Sequence, residues 1–167
     1  MKKEKRLNIY LGGTICSGWR QELMGVLPED VSWYNPICSD YWKEERENER
    51  EIVKQEADAL VFYFSPLTKF PHVIAEYQAE LQKAVAAGHP EKIILLFLPI
   101  GKKDENITFA TDARKSCEYM EREARKAGAK VCERMLDIAN YLRTFKKAEA
   151  PADTDDAKKG PGRPKKE

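Results

Sequence analysis

The sequence predicts an α/β protein built on a doubly wound parallel sheet of about five strands, with helices on both faces. Three observations predict it. Apolar runs of strand length recur at residues 7–11, 31–34, 59–64, 92–98 and 129–132. The runs at 59–64 (ALVFYF) and 92–98 (KIILLFL) are apolar at successive positions, which suits a strand covered on both faces. Stretches with helical spacing separate the runs, as the crossovers between parallel strands require.

Residues 7–11 (LNIYL) give a buried strand that feeds the glycine turn Gly12-Gly13-Thr14. Thr14 or Ser17 is expected to cap the next helix, which carries Trp19, Leu23 and Leu27 on one face until Pro28 closes it. The strand at 31–34 stops at Asn35-Pro36. Residues 42–56 are strongly charged, with Ile52 and Val53 as their main apolar anchors, and fit a solvated helix lying on the sheet. A helix over 73–87 places Ile74, Tyr77, Leu81 and Val85 at helical spacing and takes Gly88 as its C-cap. Another covers 111–127 and ends at Gly128, before a short edge strand at 129–132. The last, over 134–145, is amphipathic through Met135, Ile138 and Leu142. From 148 to 167 no large apolar residue occurs, so nothing offsets the entropy of ordering, and a disordered basic tail is expected after a domain of residues 1–147.

A length of 167 residues suits one ordinary domain. The net charge of +1 argues against a globally basic nucleic-acid binder, although lysine and arginine gather at both ends of the chain. The first residues are charged and the apolar run that follows, at residues 9–11, is too short for the h-region of a signal peptide, so none is expected. The longest apolar run is far shorter than the ~20 residues a membrane span needs. The four cysteines show neither CxxC spacing nor a histidine partner at ligand spacing. Reduced thiols in a cytoplasmic protein, with no metal and no cofactor, are expected.

In a doubly wound sheet the ligand lies beyond the carboxyl ends of the strands, at the switch in strand order. That gathers residues 12–19, 35–42, 65–76 and 99–106 around one crevice. Gly12-Gly13 lacks the GxGxxG spacing and no GxxxxGK[ST] occurs, which argues against a dinucleotide site or a P-loop. Two roles stay open for the glycine pair: permitting a tight turn, or bordering a ligand.

IYLGGT at 9–14 with Trp19-Arg20, YNP at 34–36 with Asp40, EADALVFYFSP at 56–66 and Ile74-Ala75-Glu76 occur in that order. Together they resemble the nucleoside 2-deoxyribosyltransferase-like family over roughly residues 7 to 100. The resemblance implies a flavodoxin-like fold and cleavage of the N-glycosidic bond of a 2-deoxynucleoside or its 5′-monophosphate. It carries the family's glutamate nucleophile onto Glu76, which follows Asp58, where the preceding strand opens, by 18 positions (76 − 58). Tyr10, Gly12, Gly13, Thr14 and Trp19 would border the ribose and base pocket, with Asn35 and Asp40 on the opposite wall and Asp58, Ser65 and His72 as further contacts. A homo-oligomer is implied as well.

The chemistry makes sense without the name. Breaking a glycosidic bond passes through an oxocarbenium-like state that a carboxylate stabilises or traps. A second acid must protonate the leaving base, and Asp40 is the first candidate. His72, four residues before Glu76, shares its helix face if the helix begins that early. The segment Lys69-Phe70-Pro71-His72-Val73 departs from the glycine-containing segment of the family's better-known branch. This leaves a second expectation open, a nucleotide-binding module without the chemistry. A flavodoxin-like electron carrier lacks its phosphate loop. Gly162-Arg163-Pro164 resembles the core of an AT-hook, whose arginine enters the narrow minor groove of A·T-rich DNA; a solubilising basic tail is the alternative.

Overall fold

The computed structural model describes residues 6–15, 18–64, 71–97 and 110–149. Its strands are β1 (Leu7–Gly13), β2 (Val31–Tyr34), β3 (Ala59–Tyr63), β4 (Ile93–Leu96) and β5 (Lys130–Cys132). Its helices are α1 (Trp19–Val26), α2 (Glu44–Glu56), α3 (Pro71–Ala86), α4 (Ala110–Ala127) and α5 (Met135–Glu149), with a 3₁₀ turn at Pro90–Lys92. The five strands make one sheet in the order β2-β1-β3-β4-β5, and every pairing is parallel. This is the flavodoxin-like arrangement the sequence predicts. The order reverses at β1, whose neighbours are β2 and β3, so the crevice of such folds opens beyond the ends of β1 and β3.

Side chains alternate along each strand, and the core is therefore two layers. Leu7, Ile9, Leu11, Val61 and Ile94 pack with Trp19 and Leu23 of α1 and Ile138 and Leu142 of α5. On the other face Tyr10, Leu60, Phe62, Ile93 and Leu95 pack with Val73 and Tyr77 of α3 and Ala124 of α4. α3 and α4 end alike: the N–H of His89 reaches Ala84 O and that of Ala129 reaches Ala124 O, both across a glycine.

Several boundaries differ from expectation. β1 runs on through Gly12 and Gly13, which pair with Phe62 and Tyr63. α3 starts at Pro71, where the missing N–H leaves no helical bond unmade. The N-cap position of α1 is taken by Gly18, which has no side chain to cap with, and not by Thr14; Ser17 lies outside the described residues. Of the expected stripe of α3, Tyr77 is buried and Ile74 and Leu81 pack against the core, while Val85 is exposed; Val73 and Glu80 are buried beside them. α5 continues to Glu149, two residues past the predicted domain boundary. The tail from 150 onward, with Gly162, Arg163 and Pro164, lies outside the described residues. Within them, no helix is long and apolar enough to cross a membrane.

Candidate functional site

α2 builds the site, and not with its apolar residues. Ile52, expected as an anchor, is 55% exposed, while Arg50 and Lys54 are buried. They lie four residues apart and so share the face turned to the sheet and α3. Across from them α3 presents Glu76 and Glu80, likewise four apart. Lys54 Nζ lies 3.2 Å from Glu76 Oε1 and 3.5 Å from Glu80 Oε1, and it also donates to Glu51. Lys83 completes the group at 2.7 Å from Glu80. Burial pulls the Lys54 ammonium toward neutrality, but the hydrogen bond to Glu51 and the charges of Glu76 and Glu80 outweigh it and hold its pKa above 10.5.

Glu76 has a second partner. The Tyr10 hydroxyl donates to the same Oε1 at 2.9 Å. Tyr10 points to this face because it sits one residue off the β1 positions that fill the α1/α5 layer, and its ring is held between Tyr34 and Phe62. Burial, followed by the neighbouring Glu76 charge, pushes the phenol far above the ordinary tyrosine range, so it stays a donor. Both donors meet Oε1, and among the described residues none reaches Oε2.

Glu76 borders two hollows. A cleft of about 310 Å³ runs between α2 and α3, past Tyr41, Trp42, Arg50 and His72. A small recess under the glycine turn, bounded by Gly12, Gly13, Arg20 and Ile37, shares Glu76 and Tyr41 with it. Arg50 sits 3.8 Å over the Tyr41 ring and donates to the Tyr41 carbonyl. Burial, then the Glu76 charge, raises the Tyr41 pKa.

The glycine turn is fixed from below. Arg20, buried, donates from Nε to Leu11 O, from Nη1 to Thr14 O and from Nη2 to Gly13 O. Burial lowers its pKa to about 10, which leaves the guanidinium charged at neutral pH. Gly13 has φ +102°, and a Cβ there would stand 2.2 Å from the Tyr63 carbonyl oxygen. A Cβ at Gly12 would stand 2.5 Å from the Phe62 ring. The pair is therefore required by the backbone and by the packing of β1 on β3, whatever it borders.

Of the predicted site residues, the fold brings Tyr10, Gly12, Gly13, His72 and Glu76 together. Others it places elsewhere. Trp19 is buried in the α1/α5 layer, its indole N–H given to Thr14 O at 2.9 Å, so it braces the turn and cannot meet a ligand. Thr14 is buried as well, its N–H on Tyr63 O. Asp40 is turned to Lys43 at 3.1 Å on the surface and lines neither hollow. Asn35 accepts from Ile37 N–H and shapes a turn. Asp58 accepts from Asn8 N–H at the opening of β3, the opposite end of the sheet from the crevice. Ser65 lies outside the described residues, as do Lys69 and Phe70. Sequence reasoning missed Arg50, Lys54 and Glu80.

Among the described residues no group of three or more His, Cys, Asp or Glu side chains is arranged to hold a metal ion. Cys38, Cys117 and Cys132 are free thiols, and burial pushes the Cys132 pKa up to about 11. No family model matches the chain, and no curated protein matches it.

Proposed function

We propose that the protein cleaves or transfers the N-glycosidic bond of a 2-deoxynucleoside or its 5′-monophosphate, with Glu76 as nucleophile. The observation that carries this reading is the double donation to one carboxylate oxygen. Tyr10 and Lys54 fix Oε1, which orients the carboxylate and leaves Oε2 for the sugar. Oε2 attacks the anomeric carbon as the carbon–nitrogen bond breaks; the electron pair goes to the base nitrogen, which takes a proton. Water or a second base then attacks the same carbon and releases the carboxylate. His72, one turn before Glu76 and in the same cleft, replaces Asp40 as the group that hands a proton to the leaving base. The reading brings with it a cytoplasmic homo-oligomer, which light scattering on the purified chain checks for assembly.

The test is chromatographic: a panel of 2-deoxynucleosides and monophosphates, with and without a free base, against the wild type, Glu76→Gln and Tyr10→Phe. Release of base only by proteins that keep Glu76 is the expected result, with Tyr10→Phe slowed. Release by Glu76→Gln at the wild-type rate refutes it. A second reading, a nucleotide-binding module tethered to A·T-rich DNA through Gly162, Arg163 and Pro164, draws on the tail and on Lys54, whose ion pairs could serve structure alone. Salt-sensitive retardation of A·T-rich DNA that is lost in Arg163→Ala favours it.

A further inference from the structure

The cleft beside Glu76 carries an aromatic side chain with no work in the core. Trp42 is 74% exposed, at the mouth of the α2/α3 cleft that Glu76 borders. We infer that Trp42 is the platform on which the base of the nucleoside stacks while the anomeric carbon lies against Glu76. The inference rests on the reading of Glu76 given above and adds where the base goes.

The other aromatic residues near the crevice are committed elsewhere. Trp19 is buried under the turn. Tyr10 and Tyr34 stack on one another, with ring centroids 5.9 Å apart. Tyr41 has the Arg50 guanidinium over its ring. Trp33 projects from the opposite face of the sheet: it pairs in register with Ile9, which belongs to the α1/α5 layer, whereas Tyr34 joins Tyr10 on the α2/α3 side. Trp42 therefore presents the open ring of this cleft among the described residues.

Trp42 is held in place. Its ring meets Tyr41 at 4.9 Å and His72 at 5.0 Å, edge to face in both cases. His72 and Glu76 lie one helical turn apart on α3, about 6 Å along the axis. A base against Trp42 and a sugar against Glu76 thus span one turn of α3, as the two halves of a nucleoside do. The cleft volume of about 310 Å³ suits one such molecule. Every base has a π-face, so a stacking platform tolerates many of them, and the inference predicts breadth across bases rather than selectivity for one.

Indole emission reads this directly. Deoxyadenosine and thymidine are titrated into the full-length wild type, Trp33→Phe, Trp42→Ala and Trp42→Tyr, with affinity measured in parallel by equilibrium dialysis. Saturable quenching is expected in the wild type and Trp33→Phe. It should vanish in Trp42→Ala, where affinity for both nucleosides falls by about fivefold to a hundredfold, and Trp42→Tyr should restore most of the affinity. Affinity within twofold of the wild type in Trp42→Ala overturns the inference, as does quenching that survives there. Binding that depends on Trp42 with no base released refutes the Glu76 chemistry and leaves the platform standing. Base release unchanged in Trp42→Ala does the reverse, and no binding by any variant overturns the platform.

Discussion

Replacing Lys54 by methionine keeps the stem and removes the charge, and its consequence follows from the geometry. The Lys54 side chain is 5% exposed and serves three carboxylates, of which Glu76 is 16% exposed and Glu80 8%. Removing one partner of a buried ion pair costs about 3–5 kcal/mol. Here the loss is smaller, because Glu76 keeps the Tyr10 hydroxyl, Glu80 keeps Lys83, and Glu51 is exposed enough to turn to water. About 2–3 kcal/mol is expected at pH 7, or roughly 5–10 °C in melting temperature for a domain of this size. The dependence on pH has a fixed sign. Lys54 is raised above its ordinary 10.5 in the folded protein, so its contribution is complete below that value and disappears as the pH rises through the higher folded one. Urea unfolding of wild type and Lys54→Met should therefore differ by a constant amount from pH 6 to 9, and the gap should close only in stronger alkali. A difference below about 0.5 kcal/mol at pH 7, the worth of a surface pair, refutes the account.

Three further outcomes are expected. Gly13→Ala places a Cβ against the Tyr63 carbonyl at φ +102° and should cost about 3 kcal/mol or more by chemical denaturation, whereas Gly25→Ala, in α1 with open space around it, should gain about 0.5–1 kcal/mol. Arg20→Lys should destabilise by about 2–4 kcal/mol despite keeping the charge, because an ammonium cannot fork to the carbonyls of Leu11, Gly13 and Thr14 at once; a melting temperature equal to the wild type would contradict this. Asp40→Asn should leave both turnover and unfolding unchanged within error, since its pair with Lys43 is on the surface.

The strands were legible because burial on both faces leaves a trace in every residue: β3 and β4 are apolar throughout, and no other element of that length can be. α2 was legible as a charged helix lying on the sheet, and Val53 does pack there, but its buried face was not, because Arg50 and Lys54 are residue types whose usual place is water. What keeps them inside is a set of acids on α3, beginning 22 residues after Lys54 at Glu76, and only the strand order brings the two helices side by side. Asp58 lies away from Glu76 for a related reason. Its spacing to Glu76 counts residues along the chain, but β3 intervenes, and its five residues at ~3.3 Å each carry the chain roughly 16 Å from one end of the sheet to the other. Trp19 sits in the expected stretch, yet its indole N–H has a backbone partner at hand and its ring a place in the core.

A buried cluster of Lys54, Glu76 and Glu80 invites the question of what keeps it in the protein, since stability alone is a weak answer. Desolvating three charges recovers little, and well-packed apolar groups of similar size commonly do as well or better. Replacing the buried members, as Tyr10→Phe, Lys54→Met, Glu76→Met and Glu80→Met together, removes them at once and leaves the exposed Glu51 and Lys83 paired with each other. If the cluster is there to aim a carboxylate at a sugar, this variant should unfold within about 1 kcal/mol of the wild type, or later, and release no base from any nucleoside. If it is there to hold α2 on α3, the same variant should lose several kcal/mol even though no single charge is left unpaired. Denaturation and turnover measured on one preparation separate the two, because the structural account moves the first and the catalytic account moves only the second.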